Sequence, residues 1–117
     1  MNKHESINYV ELPSNDLSVT KDFYKKVFEW SFEDYGSEYT AFVDPGLEGG
    51  FFKSSKHSTT ENGAALIVFY STNLEATQAK IEEAGGKIIK PIFSFPGGRR
   101  FHFSDPSGNE LAVWSDQ

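Results

Sequence analysis

The order of apolar and polar residues predicts a strand and then a helix at the start of the chain. Residues 7–12 alternate between the two classes, which is typical of a β-strand. Residues 16–28 carry apolar side chains at helical spacing, at Val19, Phe23 and Val27. Asn15 or Asp16 can accept hydrogen bonds from the first free amides of this helix.

The same reasoning predicts a second helix and a series of further strands. The second helix opens at the capping box Thr72-x-x-Glu75 and closes at Gly85-Gly86. Strands are predicted from apolar runs bounded by turn residues, over residues 38–43, 50–53, 64–70, 87–95, 99–104 and 110–114. Turns are predicted over residues 44–46, 96–98 and 105–109.

This pattern occurs twice, with an offset of about 57 residues that leads from Tyr9 to Leu66. Each copy contains a β-like run, a capped turn, an amphipathic helix and further strands. We therefore predict an α+β protein with two tandem βαβββ modules in a single domain, residues 1–117. Module one covers about residues 6–54, module two covers about residues 64–115, and a polar linker covers about residues 55–63.

Charge and cysteine content argue against several classes of partner and of chemistry. The net charge of −6 and the pI near 5.0 disfavour nucleic acid and anionic membranes as partners. The chain has no cysteine, so it has neither a disulfide framework nor a thiol nucleophile. No apolar run approaches the roughly 18 residues of a membrane span. We expect a cytoplasmic protein with no membrane partner.

Two stretches of the chain carry a resemblance to a known superfamily. The first holds Val10-Glu11-Leu12-Pro13, Asp16, Phe23-Tyr24 and Val27-Phe28-Glu29-Trp30. The second is Gly98-Arg99, followed by Phe103-Ser104-Asp105-Pro106-Ser107-Gly108-Asn109-Glu110-Leu111. Together they resemble the vicinal-oxygen-chelate superfamily, which contains glyoxalase I, bleomycin-resistance proteins and extradiol dioxygenases. The resemblance implies two βαβββ modules whose curved mixed sheets enclose a cavity, commonly in a homodimer.

The resemblance also identifies four positions where metal-dependent members carry their ligands, on the first and last strand of each module. Here these positions fall at Tyr9, Leu66 and Ala112, and at Gly50 or Phe51. None of these residues offers the imidazole or carboxylate that a divalent ion prefers. We therefore expect no metal and no other cofactor.

Two glutamates are candidates for a catalytic pair or a displaced ion site. Glu11 lies one pleat step after Tyr9, and Glu110 lies one pleat step before Ala112. If a two-fold axis relates the modules, the two displacements of one pleat step point in the same direction. The two carboxylates then approach each other. One member would then have a raised pKa and could act as a base. The alternative is that both are exposed charges at the rim.

Further candidates come from alternation and from charge. His102 faces the cavity if Phe101 and Phe103 pack on the second helix, and the alternative is a histidine satisfied by its neighbours. Arg99-Arg100 follows a Pro-Gly-Gly turn, and an arginine there, with Arg99 the first candidate, can clamp an anionic group; the alternative is a charged hairpin. Other side chains share the predicted inner face and either line a pocket or fill it as core: Tyr9, Phe52, Leu66, Val68, Tyr70, Ala112 and Trp114.

Two functions remain after these exclusions. The first is metal-free binding of a small organic molecule, with aromatic stacking on Trp114 and Tyr70. The alternative is a glyoxalase-like lyase or isomerase that uses a displaced carboxylate or metal site, because stabilising an enediolate needs a replacement for the missing ion. A protein that only assembles with itself or another chain is a third possibility.

We also expect a homodimer. The chain has 11 Phe, 5 Tyr and 2 Trp, more than a core of this size commonly needs. Four phenylalanines lie in strands where alternation leaves a second apolar face, and we place them at or near the contact: Phe51, Phe52, Phe93 and Phe95.

Overall fold

The computed structural model describes residues 2–44 and 46–117, and its elements follow the order of two βαβββ modules. The first module contains β1 (Tyr9–Ser14), α1 (Leu17–Phe28), β2 (Ser31–Asp34), β3 (Tyr39–Val43) and β4 (Glu48–Lys53). The second contains β5 (Ile67–Tyr70), α2 (Leu74–Glu83), β6 (Lys87–Phe95), β7 (Gly98–Ser104) and β8 (Glu110–Ser115). The predicted α+β class and its module architecture are confirmed.

Each module forms a mixed sheet of its own. The strand order is β1-β4-β3-β2 in sheet 1 and β5-β8-β7-β6 in sheet 2. The first strand of each module pairs in parallel with the last, so that Glu11 lies beside Gly50 and Val68 lies beside Ala112. The remaining neighbours pair antiparallel. The helix after each first strand provides the crossover that a parallel pair requires.

Side-chain caps fix where both helices begin. Asp16 accepts a hydrogen bond from the amide of Val19 at 3.2 Å, and Asn73 accepts one from the amide of Ala76 at 3.1 Å. The capping box predicted at Thr72 is therefore wrong by one residue, because asparagine is the stronger cap and reaches the amide three positions on. In the described part of the chain neither helix is long and apolar enough to cross a membrane.

Strand boundaries differ from the predictions mainly in module one. The sequence pattern does not single out β2, because Phe32 is the only apolar side chain in that strand. Strand β1 begins after Ile7, whose side chain is 88% exposed, and β4 begins earlier than predicted because Glu48 pairs with Tyr9. The turn predicted over residues 44–46 includes Pro45, which lies outside the described residues.

Helix α1 connects the cores of the two modules. Its Tyr24 packs against Phe51 of sheet 1 with ring centroids 5.2 Å apart, and its Phe23 packs against Phe103 of sheet 2 at 6.2 Å. Helix α2 contacts α1 and strands β6, β7 and β8. Each sheet therefore has one face that packs on helices, which we call the helix face, and a second face turned away from them, which we call the open face.

The predicted turn after β7 holds the modules together. The Asp105 carboxylate accepts hydrogen bonds from the hydroxyl of Tyr24 at 2.8 Å and from the amides of Ser107 and Asn109 at 2.9 and 3.0 Å. Asn109 Nδ2 donates to the carbonyl of Pro13 on β1 at 2.7 Å. Burial raises the pKa of Asp105, although these hydrogen bonds oppose the change. The motif thus links module two to module one.

Candidate functional site

The open faces carry most of the side chains predicted to line a site. On sheet 1, Tyr9 is 42% exposed and Phe52 is 38% exposed. On sheet 2, Val68 and Tyr70 are 42% and 49% exposed, and Trp114 is half-buried. These side chains are not core. The two open faces also do not close on each other within the chain, because they leave these side chains accessible.

The four phenylalanines predicted at a dimer contact divide between the two faces. Phe52 and Phe93 lie on open faces and are each 38% exposed. Phe95 is half-buried and its ring centroid lies 6.2 Å from that of Trp114. The prediction for Phe51 is wrong, because it is fully buried on the helix face of β4 against Tyr24.

Three side chains on the open face of sheet 1 form a continuous hydrogen-bonded chain. The hydroxyl of Tyr39 donates to Glu11 Oε2 at 2.8 Å. Because this uses the only proton of Tyr39, the hydroxyl of Tyr9 is the donor in the 2.7 Å bond between the two tyrosines. Burial, followed by the hydrogen bonds with Tyr9 and Glu11, raises the pKa of Tyr39. These hydrogen bonds therefore keep the Tyr39 hydroxyl protonated and direct it at the carboxylate of Glu11.

A pair of glycines in β4 makes this arrangement possible. Tyr39 lies on β3 and must cross β4 to reach Glu11 on β1. A Cβ atom on Gly50 would lie 2.1 Å from the Tyr39 hydroxyl, so only glycine leaves room for the crossing. On the helix face, the ring of Phe42 similarly occupies the space beside Gly49, 2.5 Å from a Cβ built there. Gly49 and Gly50 both lie within strand β4.

A second polar network lies on the open face of sheet 2. His102 Nδ1 is 2.7 Å from Glu110 Oε2, and both side chains are buried. Glu110 Oε1 accepts hydrogen bonds from the amide and the hydroxyl of Thr60, at 2.9 and 2.7 Å. Thr60 belongs to the segment between β4 and β5, and this segment also bonds to β8 where Ser58 accepts from the Glu110 amide at 2.8 Å.

These contacts change the interpretation of the two glutamates. Burial alone would raise the pKa of Glu110, but hydrogen bonds from His102 and Thr60 outweigh it and lower the pKa to about 2. Glu110 is therefore not the member of the pair with a raised pKa, and the alternative of an exposed rim charge is wrong for Glu110, because its side chain is buried. Glu11 and Glu110 each bind partners within their own part of the fold and make no hydrogen bond to each other.

Arg100, rather than Arg99, faces the open side of sheet 2. Arg99 makes a double hydrogen bond to Glu75 of α2, at 2.7 and 3.3 Å, which directs its guanidinium to the helix face. The guanidinium carbon of Arg100 lies 5.5 Å from the ring centroid of Phe93 and 5.8 Å from that of Phe95. Alternation along β7 places these two neighbouring arginines on opposite faces.

A separate cleft of about 470 Å³ lies between the two sheets, beside edge strands β1 and β5. Its lining is mainly apolar and includes Leu12, Trp30 and Phe69, with Asp44 as its charged residue. Val68 and Tyr70 also border it. The sequence pattern did not predict this cleft.

The sequence profile of the Glyoxalase/Bleomycin resistance protein/Dioxygenase superfamily matches residues 6–113. The chain belongs to this superfamily. The resemblance carried by the Phe-Tyr helix and the Asp-Pro-x-Gly-Asn turn is thereby confirmed.

The positions that hold metal in other members of the superfamily do not fit a metal ion here. Tyr9 hydrogen-bonds to Tyr39, Leu66 and Ala112 have no donor atom, and the space beside Gly50 holds the Tyr39 hydroxyl. Phe51 is excluded as the fourth position, because it faces the helices. Within residues 2–44 and 46–117 no group of three His, Asp or Glu side chains is arranged to hold a metal ion.

Relatives in the superfamily include proteins of named pathways. The chain is 29% identical to the anthracycline biosynthesis protein DauV of Streptomyces sp. (strain C5), over 91% of this chain and 45% of that protein. It is 24% identical to the putative glyoxylase CFP32 of Mycobacterium bovis, over 92% of this chain and 44% of that protein. The chain thus spans less than half the length of these relatives.

Solved structures of the superfamily share the fold at low sequence identity. A glyoxalase-related enzyme from Fulvimarina pelagi superposes with a TM-score of 0.79 at 16% identity, covering 95% of this chain and 88% of that one. The fosfomycin resistance protein FosX from Listeria monocytogenes gives 0.79 at 18% identity, with coverage of 97% and 94%. At this identity the likeness concerns the fold of the superfamily alone.

Sequence reasoning missed Tyr39 and Thr60, and it did not choose Arg100 over Arg99. Tyr39 was detectable, because a Gly-Gly pair inside a strand commonly leaves space for an aromatic side chain from the next strand. Arg100 follows from alternation once His102 is placed on the open face. Thr60 had no local signal, because its contact with Glu110 joins residues 50 positions apart.

Proposed function

We propose that the chain binds a small organic molecule without a metal ion, and that it does so as a homodimer. The observation that carries the proposal is the replacement of the superfamily's metal positions. Donor atoms are absent at Leu66, Ala112 and Gly50, and the hydroxyl of Tyr39 fills the space beside Gly50. A divalent ion needs several imidazole or carboxylate ligands, which this arrangement does not supply.

The open face of sheet 2 offers the contacts that an organic ligand needs. Tyr70 and Trp114 form an edge-to-face pair with ring centroids 5.1 Å apart. Next to them lie the charge of Arg100 and the buried His102, in register across β7 and β8. Apolar walls with a few fixed polar groups are typical of small-molecule sites. The names of relatives such as DauV make anthracyclines the first compounds to test.

The homodimer is supported by the exposed apolar surface. Tyr9, Phe52, Val68, Tyr70 and Phe93 are between 38% and 49% exposed, and all lie on open faces. Contiguous exposed apolar side chains mark a surface that binds another molecule. A two-fold pair that covers both faces would bury at least about 1,200 Å² in total. The ligand would then lie between an open face of one chain and that of its partner.

A glyoxalase-like lyase or isomerase is the second candidate, and the pair of His102 and Glu110 favours it. A carboxylate that orients an imidazole is the usual arrangement of a general base. The enediolate would need a cation in place of the missing metal, and Arg100 on the same face is the available group.

The two tryptophans allow a direct test of binding. Trp114 lies on the open face, whereas Trp30 lines the cleft between β1 and β5. We expect anthracyclines and simpler planar aromatics to quench the Trp30→Phe protein, in which only Trp114 remains. We expect no quenching of the Trp114→Phe protein. Trp114→Ala should weaken binding by about 1–3 kcal/mol, the scale of a buried aromatic anchor.

The controls separate the outcomes. Quenching of Trp30 alone would move the site to the cleft and contradict the open-face location. If calorimetry detects no binding of any compound in the panel to the unmodified chain, the proposed binding function is wrong. Turnover of a 2-oxoaldehyde thiohemiacetal by the purified chain, lost in His102→Gln, would favour the lyase or isomerase instead.

A further inference from the structure

Two buried side-chain nitrogens lack a hydrogen-bond partner in the described part of the chain: Arg100 Nε and His102 Nε2. They belong to residues two positions apart on β7, whose side chains point to the same face of the sheet. Their Cα atoms are therefore roughly 7 Å apart. A buried polar atom without a partner is costly, and two on one face indicate a place where a ligand supplies the missing contacts.

The partners of His102 fix which of its nitrogens is free to accept. Thr60 donates two hydrogen bonds to Glu110 Oε1, and the lowered pKa of this carboxyl leaves Oε2 without a proton as well, so both oxygens act as acceptors. The proton in the 2.7 Å contact must then be on His102 Nδ1, which leaves a lone pair on Nε2 in the neutral imidazole. The other charged groups next to His102 are Arg100 and Lys90, its register partner on β6.

Arg100 is a cation without a carboxylate. It takes part in none of the ion pairs among residues 2–44 and 46–117, whereas neighbouring Arg99 binds Glu75. Its guanidinium packs instead on the rings of Phe93 and Phe95. His102 Nε2 can accept a proton, and the guanidinium of Arg100 can bind a negative charge. Together they suit a ligand that gives up a proton and becomes an anion.

The ring of Phe93 lies beside both side chains. Its ring centroid is 6.0 Å from that of His102, and it lies 5.5 Å from the guanidinium carbon of Arg100. It lies on β6, an edge strand of sheet 2, directly after an irregularity in the pairing between Lys90 and Phe93. An edge strand with broken register leaves room for this half-exposed ring to turn away.

We propose that His102 and Arg100 form a binding site for a weakly acidic hydroxyl compound, a phenol or an enol, which enters beneath Phe93. The O–H bond of the ligand breaks, its proton forms an N–H bond at His102 Nε2, and the oxygen keeps the electron pair. The resulting oxyanion is held by Arg100, and the imidazolium is held by Glu110. This inference rests on the proposed binding function and names its ligand class.

p-Nitrophenol is a suitable probe, because only its ionised form absorbs strongly in the visible range. At a pH where the free probe is mostly neutral, we expect the bound probe to be mostly phenolate. His102→Gln should lower the ionised fraction of bound probe at least tenfold, and Arg100→Gln should weaken binding. Arg99→Gln is the matched control and should change neither. p-Nitroanisole, which has no proton to give, should bind equally to the unmodified protein and to His102→Gln.

Nuclear magnetic resonance of the unmodified protein provides a test that does not depend on variants that fold. The nitrogen chemical shifts of His102 should show a proton on Nδ1 alone in the free protein and on both nitrogens with the probe. A probe that binds as the neutral phenol would overturn the inference. So would a free protein at neutral pH in which Nε2 is already protonated. If p-nitrophenol quenches Trp114 and is ionised to the same extent when bound to His102→Gln as when bound to the unmodified protein, the proposed function stands and only this site is refuted.

Discussion

Replacing Gly50 with alanine should break the hydrogen-bonded chain on sheet 1 while leaving the fold intact. The new Cβ atom would lie 2.1 Å from the Tyr39 oxygen and 2.4 Å from its ring carbon Cζ. Ordinary contact requires well over 3 Å, so the ring must move by more than about 1 Å. A displacement of that size breaks the 2.7 Å bond to Tyr9 and the 2.8 Å bond to Glu11.

The expected cost follows from those two bonds. A hydrogen bond to a charged group contributes about 1.5–3 kcal/mol to stability, and a neutral one about 0.5–1.5 kcal/mol. Both bonds lie on a face that water reaches, so we take the lower part of the range and expect about 2 kcal/mol. Gly49→Ala should cost more, about 3 kcal/mol or above, because its Cβ meets the backbone oxygen of Val10 at 2.3 Å. A strand backbone cannot turn away as a tyrosine ring can.

Urea unfolding followed by circular dichroism measures both changes. All samples must share one protein concentration, since a dimer unfolds in a concentration-dependent way. In a Tyr39→Ala background the obstacle is absent, and Gly50→Ala should then change the unfolding free energy by less than about 0.5 kcal/mol. The reasoning is refuted if Gly50→Ala costs the same in both backgrounds, or if it has no effect in the unmodified chain.

Three further predictions concern acid stability, assembly and metal. The pKa of Glu110 in the folded protein is about 2. The ionised carboxylate therefore contributes to the free energy of unfolding above its ordinary pKa of 4.5, and this contribution is lost as the pH falls towards 2. Glu110→Gln should therefore be less stable at neutral pH and lose less stability in acid-unfolding curves; equal acid sensitivity would contradict this. Light scattering should give about twice the chain mass of 13.1 kDa, and a monomer at tens of micromolar would exclude the dimer. Elemental analysis should find no stoichiometric divalent metal, whereas Leu66→His with Ala112→Glu should begin to bind one; no gain would count against the assigned positions.

The fold was predictable because its signals are local. Helical spacing over residues 16–28, the caps that precede both helices and the repeat from Tyr9 to Leu66 all act over a few residues or one copied unit. Strand β2 was not predicted, because it has a single apolar side chain and therefore shows no alternation of apolar and polar residues. The superfamily likewise rests on short motifs, the Phe-Tyr helix and the turn at Asp105, which bind to each other in the fold.

The site was only partly predictable, since its chemistry depends on contacts between distant residues. Alternation correctly placed His102 and Trp114 on the open face, because it needs only the strand itself. The pKa of Glu110 is lowered by hydrogen bonds from His102 and from Thr60, and Thr60 lies 50 positions away in the sequence. The choice between Arg99 and Arg100 likewise depended on where the facing helix places Glu75.

The two modules carry parallel arrangements at the positions where other members of the superfamily hold a metal ion. In each, the last strand has a small residue at the superfamily's ligand position, Gly50 in one and Ala112 in the other. In each, a polar ring from the adjacent strand lies on the same open face and binds a glutamate: Tyr39 binds Glu11, and His102 binds Glu110. A metal site recognises oxygen lone pairs, whereas a tyrosine and a histidine oriented by carboxylates exchange or donate protons. The selectivity of this protein should therefore follow the acidity and hydrogen-bonding pattern of a ligand's hydroxyl groups, rather than its ability to chelate.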